Sequence, residues 1–147
     1  MKVRDIMSLD PLCCVATDSA QAVARIMHDN NVGSVPVVLD QQSRELVGMI
    51  TDRDLCCSIV ARGLDPKTTS IEQYITPYPA TCRDGENIDK CEHAMQKRQV
   101  RRIPVVDGNG CCIGIVSQAD LALKDNPDRV SKTVTEISKP KRSAMAA

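Results

Sequence analysis

The chain repeats itself, and that constrains its fold more than any other feature. Asp10-Pro11-Leu12-Cys13-Cys14 lies over Tyr78-Pro79-Ala80-Thr81-Cys82. Met27 to Val32 lies over Met95 to Val100, and Val35-Pro36-Val37-Val38 over Ile103-Pro104-Val105-Val106, all at an offset of 68. Gly48-Met49-Ile50-Thr51-Asp52-Arg53-Asp54-Leu55 then lies over Gly114-Ile115-Val116-Ser117-Gln118-Ala119-Asp120-Leu121 at an offset of 66. The second copy has therefore lost two residues. They fall where Asp40 to Glu45 faces the shorter Asp107-Gly108-Asn109-Gly110, in a loop, where deletions cost least.

Each copy reads as strand, helix, strand, turn, strand, helix. Val23 with Ile26, Met27 and Asn30 forms a stripe at helical spacing, and Ile88, Cys91 and Met95 repeat it. Val35 to Leu39 and Ile103 to Val106 are short continuous apolar runs, the mark of buried strands. Leu46 to Ile50 and Cys111 to Val116 are the return strands, each running into a helix. Thr69 and Glu72 have capping-box spacing for a short helix over 70–74. The spacing divides the chain into repeat 1 at 1–61, a linker at 62–69, repeat 2 at 70–125 and a tail at 126–147. In the tail, Val130, Val134 and Ile137 share a helix face, its basic residues read as solvated, and disorder is expected from Lys139 onward. Neither copy alone has a large core. The expected fold is α/β, two β-α-β-β-α repeats packed sheet to sheet about a pseudo-twofold axis.

The end of each return strand is where chemistry is expected. Gly48-x-x-Thr51-x-x-Asp54 recurs as Gly114-x-x-Ser117-x-x-Asp120. A hydroxyl and a carboxylate three residues apart sit on one side of a helix's first turn, beside backbone N–H groups that lack partners. The carboxylate can accept two bonds from a vicinal diol such as ribose, and the hydroxyl can reach a phosphate. The same spacing also makes an ordinary helix cap. Arg101 and Arg102 precede the second buried strand, and a phosphate would answer two adjacent guanidinium groups there. The first copy has Gly33 and Ser34 instead, so any phosphate site is asymmetric.

These residues resemble a tandem pair of cystathionine-β-synthase-type (CBS) domains, a Bateman module. Asp5-Ile6-Met7 with Pro11, the two Val/Ile-Pro-Val-Val strands and the two Gly-x-x-Thr/Ser-x-x-Asp ends carry the resemblance, over about Val3 to Leu123. It is similar to the small bacterial modules that stand without an attached enzyme or channel. The resemblance implies two clefts between the repeats and a ligand containing adenosine: AMP, ADP, ATP, NAD or S-adenosylmethionine. It implies that Asp54 and Asp120 hold ribose hydroxyls with Thr51 and Ser117 beside them, and that Arg101 and Arg102 contact phosphate. It also implies a homodimer, with Leu55, Ile59 and Val60 as the face to be covered, and a separate protein that the module regulates.

The leading reading is a non-enzymatic adenine-nucleotide-binding regulatory or sensor module, with the nucleotide as ligand and no required cofactor. The alternatives are a cysteine-based redox or metal sensor and a ligand-free dimerisation module. No catalytic residue is assigned: there is no Walker-type loop and no nucleophile elbow, and His28 and His93 sit on helix surfaces. Lys+Arg and Asp+Glu both number 19, and aromatics are 1%, which argues against nucleic acid as partner. No apolar run spans a bilayer and no apolar segment marks a signal peptide in the first thirty residues, so the expected location is the cytoplasm, without membrane. The eight cysteines include the adjacent pairs Cys13-Cys14, Cys56-Cys57 and Cys111-Cys112. None has zinc-ribbon spacing, so they read as small buried apolar residues and no metal ligand is assigned.

Overall fold

The computed structural model describes residues 1–141. They fold as two compact units. The first-half unit is Asp10–Pro79 with Gly108–Cys112; the second-half unit is Met1–Leu9, Ala80–Asp107 and the chain from Ile113 onward.

The first-half unit holds a four-stranded sheet in the order β2-β3-β4-β5, where β2 is Cys14–Val15, β3 Ser34–Val38, β4 Leu46–Thr51 and β5 Thr76–Pro77. β2 and β3 are parallel, joined by the crossover helix α1 (Ala20–Asn30) that such a pair requires. β3 and β4 are antiparallel, as are β4 and β5. All five residues of β3 are buried, which explains its unbroken apolar run. A proline inside a central strand is normally excluded because it lacks an N–H. Pro36 is tolerated because β2 reaches only Val37 and Val38, so no partner on that side needs the missing donor. Ser19 caps α1 through a bond from Ala22 N, and Asn31 ends it in the left-handed conformation (φ 52°). After β4 comes α2 (Asp52–Leu55), continued by a π-helical turn over Cys56–Val60. The core gathers Val23 and Met27 of α1, Val35, Val37 and Ile50 of the sheet, and Leu55, Ile59 and Ile71.

The second-half unit repeats this plan. Its sheet runs β1-β8-β7-β6, with β1 Ser8–Leu9, β6 Cys82–Arg83, β7 Arg102–Val106 and β8 Cys112–Ser117. Parallel β6 again reaches only the two residues after the proline, Val105 and Val106. The helix α3 (Ile88–Arg98) is capped by Asn87 and ended by left-handed Gln99 (φ 53°), at the same offset of 68 as Ser19 and Asn31. The prolines at 11 and 79 likewise follow left-handed Asp10 (φ 47°) and Tyr78 (φ 51°). The two-residue loss falls between β7 and β8, as the alignment predicts. After α4 (Gln118–Lys124), α5 (Pro127–Ser138) adds Val130 and Ile137 to a core built on Ile88, Cys91, Met95, Ile103 and Leu121.

The compact units do not coincide with the sequence repeats. β1 lies at the start of the first repeat yet completes the second sheet, and β5 lies at the start of the second repeat yet completes the first. A two-residue edge strand has no periodicity to reveal where it pairs.

Three expectations are corrected. The short helix over 70–74 is a 3-10 turn at Glu72–Tyr74 without a side-chain cap. The Thr69 hydroxyl instead donates to the Asp65 carbonyl at 2.7 Å, and Ser70 forms an isolated bridge with Ser19. Leu55 and Ile59 are interior residues of the first-half core, so of the expected dimer face only Val60 is exposed, at 69%. The tail is not simply solvated. The guanidinium of Arg129 bonds Glu92, and Gln99 Nε2 donates to the Lys139 carbonyl at 2.8 Å while Lys141 Nζ donates to the Gln99 carbonyl. The stretch expected to be disordered lies, from residue 142 on, outside the described residues. Among the described residues no helix is long and apolar enough to cross a membrane.

Candidate functional site

Both predicted strand ends form, and both are closed capping boxes. In the first-half unit Thr51 Oγ1 accepts from Asp54 N at 3.1 Å, and Asp54 Oδ2 accepts from Thr51 N at 2.9 Å. In the second-half unit Ser117 Oγ accepts from Asp120 N at 3.1 Å, and Asp120 Oδ2 accepts from Ser117 N and from the Ser117 hydroxyl, each at 2.7 Å. The capping role is therefore real. It also fixes each carboxylate rigidly at the point where strand becomes helix, because both ends of the box are backbone bonds. Every bond that the two carboxylates accept here falls on Oδ2, so among the described residues Oδ1 of each is left for a further donor. All four residues are half-buried, accessible to a ligand without being fully hydrated.

The glycine of the motif serves packing. Gly48 lies opposite Pro77 of β5, and Gly114 opposite Leu9 of β1. An added Cβ at Gly48 would sit 2.2 Å from Ile75 Cγ2 and 2.8 Å from the Thr76 carbonyl oxygen; at Gly114 it would sit 2.9 Å from Met7 Sδ and 3.0 Å from the Ser8 carbonyl oxygen. Neither glycine has a positive φ. What each position demands is the absence of a side chain, so that the edge strand can cross against the return strand.

Arg101 and Arg102 enter β7 at the equivalent of Gly33 and Ser34. Gln118 N donates to the Arg101 carbonyl at 2.8 Å, as Asp52 N donates to the Gly33 carbonyl at 2.9 Å. Backbone bonding thus brings exposed Arg101 and half-buried Arg102 to the same end of the sheet as Ser117 and Asp120. In the first-half unit that place belongs to Ser34, paired in register with Thr51. Ser34 is 8% exposed, and among the described residues its hydroxyl is one of two buried side-chain oxygens without a hydrogen-bond partner. An orphaned hydroxyl costs about 1–3 kcal/mol, so it marks a place where a ligand group would be welcome. Sequence reasoning treated Ser34 only as the absence of an arginine. The signal that finds it is the alternation of the pleat, which puts it beside Thr51.

The cysteines divide three ways. Cys13, Cys14, Cys82, Cys91 and Cys112 are buried, Cys111 is half-buried, and Cys56 and Cys57 are exposed on the π-helical turn. The adjacent pair in the first copy does point two ways: Cys14 joins the main first-half core, and Cys13 joins a small cluster with Val38 and Cys112. Burial pushes the Cys14 thiol up to about 12, with Asp18 and the Cys13 sulfur adding to it. All eight are thiols. Among the described residues no group of three or more His, Cys, Asp and Glu side chains is arranged to hold a metal ion. A depression of about 440 Å³ on the second-half unit is lined by Thr81, Cys82, Glu86, Asp89, Lys90 and His93, none of them a predicted site residue.

Known proteins share this plan. The CBS domain family profile matches twice, at residues 3–60 and 71–125. The uncharacterized protein YlbB of Bacillus subtilis is 36% identical over 141 residues, covering 93% of this chain and 91% of its own. A crystal structure of hypoxic response protein I with two coordinated zinc ions superposes with a TM-score of 0.75 at 30% identity, over 86% of this chain and 100% of that one. The CBS domain pair of protein MJ0100, solved with 5'-methylthioadenosine and S-adenosyl-L-methionine, gives a TM-score of 0.74 at 28% identity, over 84% and 94%. With two matched repeats, two matching four-stranded sheets and a relative aligned over nearly its full length, the chain belongs to the CBS domain family.

Proposed function

We propose that this protein is a non-enzymatic regulatory module that binds an adenosine-containing ligand. The observation that carries the reading is the twofold recurrence of a carboxylate locked by backbone bonds at a strand end, with one oxygen committed to the cap and the other left for a diol. The unsatisfied Ser34 hydroxyl supports it in the first-half unit. The MJ0100 pair, solved with two adenosine compounds, supports the ligand class. On this reading Asp54 and Asp120 take ribose hydroxyls, Thr51 and Ser117 lie beside them, and Arg101 and Arg102 read a phosphate or another anionic group. The second-half site then favours a nucleotide over a nucleoside, because the first-half unit offers Ser34 where the second offers guanidinium. The module acts in the cytoplasm as a homodimer, with exposed Val60 and Leu123 as apolar positions on its outer helices.

Calorimetric titration with S-adenosylmethionine, methylthioadenosine, AMP and ATP tests this. Asp54→Asn and Asp120→Asn keep an acceptor for the cap and remove the charge. Losing a charge-assisted bond is worth about 1.5–3 kcal/mol, so each variant is expected to weaken one site by roughly ten- to a hundredfold. Undiminished binding by the double variant would refute the site. No binding of any of the four by wild-type protein at millimolar concentration would refute the function. Light scattering on the same samples is expected to give a dimer, and a monomer mass would remove that part.

A further inference from the structure

The adjacent cysteine pairs that stand out in the sequence are not the pairs that meet. Cys13 and Cys112, nearly the full length of the module apart, share one small buried cluster within the first-half unit, 5% and 2% exposed. Arg44 ties the two together. Its Nη2 donates to the Cys13 sulfur at 3.4 Å and to the Pro11 carbonyl at 2.6 Å, and its Nε donates to the Cys112 carbonyl at 3.3 Å. Cys112 N in turn donates to the Arg44 carbonyl at 2.8 Å. Arg44 holds this position at a price in backbone strain: its φ is 58°. At the offset of 66 its counterpart is Gly110, also left-handed (φ 79°), where the conformation carries no strain. One copy thus uses the residue suited to the turn, and the other keeps a strained arginine whose guanidinium lies on a thiol.

We propose that Cys13 and Cys112 are a peroxide-responsive dithiol, with Cys13 the attacking sulfur, Cys112 the resolving one and Arg44 the residue that holds the thiolate. A thiol beside a guanidinium ionises more readily than one in apolar surroundings. The Cys112 thiol bonded to it, with Arg44 adding, holds Cys13 below the usual thiol range against the opposing effect of burial. Cys14, one residue away and without that guanidinium contact, is displaced the other way. The co-reactant is hydrogen peroxide. The Cys13 thiolate attacks one peroxide oxygen; the S–O bond forms, the O–O bond breaks, and the departing hydroxide takes up the proton that Cys13 had released. The Cys112 sulfur then attacks the sulfenic sulfur; the S–S bond forms, the S–O bond breaks, and the leaving hydroxide takes the Cys112 proton. Two thiols lose two electrons, and one peroxide becomes two waters. This reading is independent of the adenosine site.

The test is hydrogen peroxide treatment of the full chain at neutral pH, alkylation of remaining thiols, and peptide mapping without reductant. A Cys13–Cys112 linked peptide, reversed by dithiothreitol, is the expected result. Recovery of both residues alkylated, a link from Cys13 to Cys111 or Cys14 instead, or Cys13 as sulfinic acid beside an unmodified Cys112 would each overturn the pairing. Arg44→Gln, checked for native circular dichroism, is expected to slow disulfide formation at least tenfold at pH 7 and to lose that difference at pH 9, where Cys13 ionises unaided. An unchanged rate at pH 7 would remove Arg44 from the mechanism. If Arg44→Gln does not fold, the pH profile of wild-type thiol loss serves instead: a midpoint at or above the ordinary thiol value would refute the activated thiolate.

Discussion

Replacing Gly48 by alanine is expected to lower stability by about 2–3 kcal/mol, as overpacking does against atoms that cannot yield. Simple propensity predicts the opposite sign, since glycine inside a strand is worse than alanine by roughly 0.5–1 kcal/mol. The structure decides between them. The new methyl would meet Ile75 Cγ2 at 2.2 Å, which a rotamer change could relieve, and the Thr76 carbonyl at 2.8 Å, which only a shift of β5 could. Gly114→Ala is expected to cost less, about 1–2 kcal/mol, because Met7 Sδ belongs to a flexible side chain and the Ser8 carbonyl stands at 3.0 Å. Gly85 is the control: nothing lies within 4 Å of its added Cβ and its φ is not positive, so Gly85→Ala should be neutral or slightly stabilising. Urea midpoints for the three variants check the order. A neutral Gly48→Ala would show that β5 is not held against β4 as described.

Arg129→Ala is expected to cost about 2–3 kcal/mol. Glu92 is buried on α3, its side chain only 6% exposed. Arg129 Nη2 and Nε donate to its Oε2 at 2.5 and 3.2 Å, and the Thr133 hydroxyl donates to its Oε1 at 3.2 Å. Asp89 also contacts the guanidinium, and Asp125 Oδ2 lies 3.8 Å from it. Removing the arginine leaves three carboxylates facing one another, two of them with buried side chains, Glu92 at 6% and Asp125 at 5% exposed. Breaking a buried pair costs about 3–5 kcal/mol; the 42% exposure of the Arg129 side chain lowers that figure by solvent screening. Taking the Glu92 carboxylate away as well should recover part of the loss, because the penalty lies in stranded charge and the buried Asp125 remains. Glu92→Gln on the Arg129→Ala background is therefore expected to be more stable than Arg129→Ala alone. If the double variant is the less stable of the two, the network is held by something other than charge.

Much of the architecture was legible because duplication writes each local rule twice. Ser19 and Asn87 cap equivalent helices, Asn31 and Gln99 end them, and Asp10 and Tyr78 turn the chain left-handed before a proline. A single Thr-x-x-Asp is ambiguous between cap and site, and its recurrence drew attention to it. The structure shows that the cap is formed in both copies, which is what holds the carboxylates still. What escaped the sequence is mostly what depends on contacts far along the chain, together with one local competition for a hydroxyl. Arg129 read as a solvated tail residue because Glu92 lies 37 positions earlier. Cys112 stood out in the sequence only as the neighbour of Cys111 and read as a small buried apolar residue, since adjacency is visible and a cluster shared with Cys13 is not. Thr69 and Glu72 had the spacing of a capping box, yet the Asp65 carbonyl competes for the Thr69 hydroxyl and wins.

The exchanged edge strands bear on how such a molecule can be inherited. The duplicated stretch of gene and the compact body it encodes are not the same piece of chain. A break between the copies, after residue 79, would leave the earlier fragment with β1 severed from β8 and without the Gly108–Cys112 segment of its own unit. The later fragment would lack the Val3 and Ile6 side chains of its core. Once the strands had crossed over, one copy was no longer a part that recombination could lift out and graft elsewhere. The transferable module is the pair.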